Sequence, residues 1–135
     1  MNRDKEHQSY YRWKHRVDHH IRYLIGQDSN HLDNFLYRDY YDNDFSPKVV
    51  AFLAVKNGWM LHDTFNDIEV WRRELFKCLN LFYNEDESLM LIDRKQILSL
   101  FHQSLDPLLV AESILQNNGL LPQPKFEYGI SPPKF

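Results

Sequence analysis

The chain has 135 residues, of which 43% are apolar and 15% aromatic, and its formal net charge is −3. This apolar content supports one hydrophobic core and argues against an intrinsically disordered chain. Cys78 is the only cysteine, so an intrachain disulfide and a thiolate metal cluster are excluded. Four glycines provide no phosphate-binding loop, and we expect no cofactor. No apolar run approaches the length of a membrane span, and residues 1–6 lack a signal-peptide core, so we expect a cytoplasmic protein without membrane contact.

The first half of the chain begins with a predicted helix over residues 4–25. Apolar residues recur in it at spacings of three and four, which places them on one side: Tyr10, Trp13, Val17, Ile21 and Leu24. Gly26 ends this helix. Residues 28–30 favour a turn, residues 31–41 are predicted as a second helix, and residues 39–44 as an acidic loop.

Two stretches share the same helix-capping pattern. Ser46-Pro47 opens a predicted helix over 47–57 that ends at Asn57-Gly58, and Asp106-Pro107 opens one over 107–117 that ends at Asn118-Gly119. Ser and Asp side chains cap free helix N–H groups, proline suits the first helical position, and glycine ends helices. Unrelated helices can share this chemistry, so the likeness predicts a weak internal repeat at most.

Between these stretches lies the strongest apolar pattern in the chain, over residues 67–83. It predicts a central helix that is contacted from more than one side, with Thr64 or Asn66 as its cap. Residues 84–88 are predicted as a solvated loop, and residues 89–92 as a lead-in to the Asp93 cap rather than a strand. A helix over 94–104 is expected to form a hairpin with the helix over 107–117, because their connection is short.

These elements predict an all-α fold, a compact single domain of five or six helices over residues 1–121. An extended C-terminal tail follows over residues 122–135, where four prolines exclude regular helix. The tail carries Phe126 and Tyr128. The favoured interpretation is that the tail packs back across its own helices. The alternatives are that it binds a groove in another protein, as proline-framed segments with spaced aromatics do, and that it is disordered.

The favoured function is a small non-enzymatic binding or regulatory protein, an adaptor or inhibitor that acts through a protein–protein surface. Residues 1–24 hold six Lys and Arg against three Asp and Glu, which suits an acidic protein partner. The residues expected to contact this partner are Arg12, Arg16, His19, Tyr23, Phe126 and Tyr128. The aromatic content also leaves homodimerisation open. The chain is rich in Asn, Asp, Tyr and Phe, a composition typical of phage and mobile-element proteins. This likeness suggests such an origin by association only, because no physical argument links the composition to it.

Nucleic-acid binding by the same first helix is the main alternative. Its cations alternate with Tyr11 and Tyr23, and such a combination suits contacts with phosphates and bases. The remainder of the chain carries a net charge of −6, which argues against this alternative.

The histidines support two further hypotheses, both involving a metal. His15 and His19 lie one helical turn apart and could share one ion, with a third ligand from His31 or from an aspartate of residues 39–44. In their order along the chain, His31, His62-Asp63 and Asp106 resemble the ligands of the all-helical HD phosphohydrolases. That resemblance implies a divalent cation that activates water. However, His62-Asp63 follows Asn57-Gly58 rather than a continuous apolar helix, and Asp106 is explained as a cap.

Overall fold

The structure, a computed structural model, describes residues 3–32, 34–58 and 67–121, with side chains from Ser9 onward except that of His31. In these ranges all regular structure is helical, which confirms the predicted all-α fold. They contain seven α-helices and one short 3-10 helix, somewhat more than the five or six helices predicted. Contacts divide the chain into two compact units, whose described residues are 3–58 and 67–121. The predicted tail over 122–135 lies outside the described residues, so the boundary at residue 121 stays a prediction.

Unit one contains α1 (Arg3–Ile25), a 3-10 helix (Ser29–His31), α2 (Tyr37–Asp42) and α3 (Pro47–Gly58). The prediction of the first helix is confirmed, and its apolar side packs against α3. Val17, Ile21 and Leu24 of this side are buried. Gly26 adopts a φ of 77°, a left-handed conformation that ends α1 at little steric cost. α3 is buried over most of its length, from Val49 through Val55.

The second helix was predicted over residues 31–41, and this prediction is wrong in its extent. Asp28 accepts a hydrogen bond from the Asn30 backbone N–H and caps only the short 3-10 helix, after which Leu32 is extended. Helix resumes at Tyr37, so the aspartates at 39 and 42 belong to α2 rather than to an acidic loop. The interruption is explained by Phe35, which is buried and stacks in parallel on Tyr40 with 5.1 Å between ring centroids.

Unit two contains α4 (Ile68–Asn80), α5 (Glu85–Leu89), α6 (Arg94–His102) and α7 (Pro107–Asn117). α4 contacts all three other helices of this unit, which confirms the prediction of a central helix within unit two. Its buried residues are Trp71, Leu75, Cys78 and Leu79. The described helices include none that is long and apolar enough to cross a membrane.

Three local predictions for unit two are wrong. The cap of α4 is Asp67, whose carboxylate accepts from the Glu69 N–H at 2.7 Å, rather than Thr64 or Asn66, which lie outside the described residues. The predicted loop over 84–88 contains α5, because Asn84 and Glu87 form a reciprocal capping box. The predicted hairpin of α6 and α7 is also wrong, because each helix makes its principal contacts with α4 instead.

In unit one, the connection between α2 and α3 has a compact geometry that we call the indole joint. Asp44 adopts a φ of 63° and ends α2, with the Phe45 N–H donating to the Tyr40 carbonyl at 3.1 Å. Ser46 then caps α3 through the Val49 N–H, as predicted. The indole N–H of Trp13 on α1 donates to the Phe45 carbonyl at 2.9 Å, and this bond ties the connection to the long helix of the unit.

Unit two repeats the indole joint between α6 and α7. Ser104 adopts a φ of 60°, and the Leu105 N–H donates to the Leu100 carbonyl at 3.3 Å. Asp106 caps α7 through the Leu108 N–H at 2.8 Å, which confirms its predicted role. The indole N–H of Trp71 on α4 donates to the Leu105 carbonyl at 2.7 Å. The likeness of the two units therefore extends beyond the capping pattern. Corresponding residues of the connection, such as Asp44 and Ser104, differ by 60 in number, whereas the two tryptophans differ by 58.

Candidate protein-binding surface

The side of α1 opposite its buried apolar residues presents four of the predicted contact residues. Arg12, Arg16, His19 and Tyr23 follow one another at spacings of four, three and four, so they share one side of the helix. All four are exposed, and Tyr23 retains 46% of its accessible surface. We call these four residues the α1 surface. The structure therefore brings together the predicted contacts on the first helix.

The cations of α1 differ in whether their charge is neutralised nearby. Lys14 pairs with Asp18 at 3.2 Å, and Arg22 lies 4.0 Å from the carboxylate of Asp28. Among the side chains that the structure describes, which begin at Ser9, no acidic group lies at ion-pair distance from Arg12 or Arg16. The positive charge available to a partner is therefore concentrated at these two arginines.

A polar cluster that the sequence analysis missed holds α1 against the segment that follows it. The Lys14 ammonium donates to the Ser29 hydroxyl at 2.7 Å and lies 4.5 Å from the centre of the Tyr37 ring. Asp18 accepts from the Ser29 backbone N–H at 3.1 Å. Burial, with the Asp18 charge as a second cause, raises the pKa of Tyr37 to about 12. The charge of Lys14 is thus used inside the fold and adds little to the α1 surface.

Aromatic rings fix the N-terminal half of the α1 surface. Tyr10 and Trp13 stack with 5.9 Å between ring centroids, and both meet Tyr41 of α2 edge-on. The Arg38 guanidinium lies over the Tyr10 ring at 4.9 Å. Beside this cluster, Tyr11 retains 59% of its surface and extends the exposed side of α1. The sequence indicated the α1 aromatics but gave no signal for Arg38 or Tyr41, which come from another helix.

The two adjacent histidines at the centre of α1 occupy different environments. His19 is exposed and His20 is partly buried, with their ring centroids 5.5 Å apart. Burial is the main cause that lowers the pKa of His20, and the neighbouring His19 and Lys48 lower it further. Folding therefore makes protonation of His20 less favourable than it is in the unfolded chain.

Neither metal hypothesis gains support from the described residues. In that part of the chain, no three His, Cys, Asp or Glu side chains are close enough to hold an ion. His15 is exposed on α1 one turn before His19. The His31 side chain, His62 and Asp63 lie outside the described residues. Asp106, the fourth residue of the HD-like order, accepts the Leu108 N–H as a helix cap.

Cys78 is the strongest potential nucleophile by residue type, and its surroundings argue against such a role. Its side chain is buried on α4, and burial raises the pKa of its thiol. A thiol held neutral and away from solvent is a poor nucleophile. The remaining predicted contacts, Phe126 and Tyr128, lie outside the described residues, so the candidate surface rests on α1.

Comparison of the chain with protein-family models, with curated protein sequences and with solved structures finds no match. Functional inference therefore rests on the residues and geometry of the α1 surface.

Proposed function

We propose that this chain is a non-enzymatic binding protein that recognises an acidic surface of a protein partner through the α1 surface. The observation that carries the proposal is the division of α1 into two sides. One side packs against α3, and the other exposes Arg12 and Arg16 one turn apart, with Tyr23 further along. Arginine and tyrosine are enriched where protein interfaces gain most of their binding energy.

The electrostatics favour a carboxylate-rich partner. An arginine guanidinium can bind a carboxylate through two parallel hydrogen bonds, which adds geometric specificity to the charge attraction. The polar cluster and the aromatic rings hold α1 in place, so few residues need to become ordered on binding. A preorganised surface loses less conformational entropy on association than a mobile one.

A charge-reversal comparison tests the proposal. Affinity capture from an extract of the producing cells would use the wild-type chain, Arg12→Glu/Arg16→Glu, and the control Arg94→Glu/Lys95→Glu. The control makes the same charge change at two exposed cations of α6. We expect the wild type and the control to retain the same protein, and the α1 variant to lose it. Capture that is unchanged in the α1 variant would contradict the proposal.

Nucleic-acid binding by the same surface is the competing proposal. It is favoured by the exposure of Tyr11 and Tyr23 beside Arg12 and Arg16, because such rings can stack on bases. A fluorescent DNA duplex and a single strand, titrated over a range of salt concentrations, separate the two functions. Phosphate contacts predict binding that weakens steeply as salt rises. The protein-binding proposal predicts that neither DNA binds, even at low salt, and that the partner protein is still captured after the extract is treated with nuclease.

A further inference from the structure

An open groove lies between α4 and α5 of unit two, and its two walls carry opposite charges. The volume of the groove is about 380 Å³. Arg72 and Arg73 line the wall formed by α4, and Glu85 and Asp86 line the wall formed by α5. All four side chains are exposed. We call this site the charged groove.

The two walls do not neutralise each other across the charged groove. Arg72 pairs at 3.2 Å with Glu69 of its own helix. Among the side chains that the structure describes, no ion pair involves Arg73, Glu85 or Asp86. The groove therefore presents cations on one side and carboxylates on the other to whatever binds in it.

Large apolar side chains accompany these charges and remain exposed to solvent. Phe76 and Leu89 line the charged groove, and Leu89 retains 59% of its surface. Met90 follows directly and retains 86%. Exposed apolar side chains flanked by charged groups are typical of protein-binding surfaces, where methionine is enriched. The composition of the groove therefore favours a protein occupant over a small charged solute.

The short helix α5 is fixed in a position that leaves its exposed residues available. The capping box of Asn84 and Glu87 holds its first turn, and Ser88 is fully buried beside α4, which α5 contacts. Asp86 and Leu89 lie three residues apart and share the side of the helix that lines the groove. A preorganised helix of this kind loses little conformational entropy when it binds a second surface.

We propose that the charged groove binds the charged groove of a second copy of this chain, which gives a two-fold symmetric dimer through α4 and α5. In such an interface the same surface of both copies meets itself, so every contact occurs twice. The carboxylate wall of each copy lies against the arginine wall of the other. The exposed Leu89 and Met90 of both copies pack between the walls.

The arrangement of charges is the argument for a second copy. An acidic partner would be repelled by Glu85 and Asp86, and a basic partner would be repelled by Arg72 and Arg73, whereas a surface with one wall of each sign is complementary to itself. Two helices from each copy form a small interface, so the dimer is weak and reversible. The proposal concerns unit two and does not rest on the α1 surface, so either can fail alone.

Sedimentation equilibrium of the full chain at low salt, over a range of protein concentrations, tests the proposal. We expect the wild type to form a dimer as its concentration rises. Arg72→Glu/Arg73→Glu makes both walls acidic and Glu85→Lys/Asp86→Lys makes both walls basic, so each variant should raise the dissociation constant roughly tenfold or more. An equimolar mixture of the two variants should restore the dimer, because the acidic walls of one chain then meet the basic walls of the other.

The matched control is Arg94→Glu/Lys95→Glu, which has the same net charge as the α4 variant but changes two exposed cations of α6. It should dimerise as the wild type does. Met90→Glu gives an independent readout, because a side chain this exposed can be replaced without disturbing the core, and it should also weaken the dimer. A monomeric wild type would overturn the proposal and leave the groove to another protein. An unchanged dissociation constant in Met90→Glu, or a mixture that restores no dimer, would overturn it as well.

Discussion

The indole joint of unit two provides the sharpest test of how this fold is held together. Trp71 is 1% exposed, and its indole N–H donates to the Leu105 carbonyl at 2.7 Å, between the end of α6 and the cap of α7. Trp71→Phe removes this donor and the larger ring while keeping an aromatic side chain. The lost hydrogen bond contributes about 1 kcal/mol. The lost apolar contact and the cavity add about 1–2 kcal/mol, so we expect a destabilisation of about 2–3 kcal/mol.

Urea unfolding followed by far-ultraviolet circular dichroism measures this change. Trp13→Phe removes the equivalent bond in unit one, but Trp13 is only partly buried, so we expect a smaller loss of about 1–2 kcal/mol. Phe101→Leu serves as the control, because that ring packs edge-on against Trp71 at 6.2 Å without taking part in the bond. A Trp71→Phe loss no larger than that of Phe101→Leu would refute the importance of the joint.

Three further predictions follow from single residues. Ser104→Gly should stabilise the chain by up to about 1 kcal/mol, because glycine adopts the left-handed conformation of Ser104 with less strain. Urea unfolding measures this change, and an unchanged or lower midpoint would argue against strain at Ser104. Acidification from pH 7 to pH 5 should destabilise the fold. The pKa of His20 is lowered in the folded protein, so as the pH falls past the ordinary value of 6.5 the unfolded chain binds a proton at this residue more readily, and unfolding is favoured. This loss of stability between pH 7 and pH 5, measured by thermal unfolding, should be smaller in His20→Gln than in the wild type. An equal loss in the two proteins would rule out the assignment to His20. The thiol of Cys78 should react with a disulfide reagent far more slowly in native protein than in urea, since burial raises its pKa, and equal rates would show that it is accessible.

Helix ends were predictable from the sequence wherever their chemistry is local. Ser46, Asp93 and Asp106 cap the helices that follow them, as their residue types indicate. The missed helix α5 also had a local signal, because Asn84 followed by Glu87 is the spacing of a capping box. Its polar composition led to the prediction of a loop, although capping rather than composition determines whether such a short helix forms.

The errors that involve packing had no local signal. The apolar spacing of Leu32, Phe35, Leu36 and Tyr40 fits one helix, but the stacking of Phe35 on Tyr40 interrupts it. The indole bonds of the two joints span 32 and 34 residues, so spacing along the chain could not indicate them. Tertiary contacts override local periodicity at these points.

The candidate surface was predictable in position but not in charge. Helical periodicity alone places Arg12, Arg16, His19 and Tyr23 on the side away from the buried residues. The use of Lys14 inside the fold depends on Ser29, fifteen residues further along, which only the structure brings close. The effective charge of the surface is therefore lower than the composition of the helix suggests.

Site-specific photocrosslinking tests the central claim, that α1 binds a protein partner, most directly. A benzophenone amino acid would replace His19 in the α1 surface, and in a matched chain it would replace the exposed Lys95 of α6. After irradiation in an extract of the producing cells, we expect one nuclease-resistant protein adduct from position 19 and none from position 95. No adduct at position 19, the same adducts from both positions, or an adduct with nucleic acid would contradict the account.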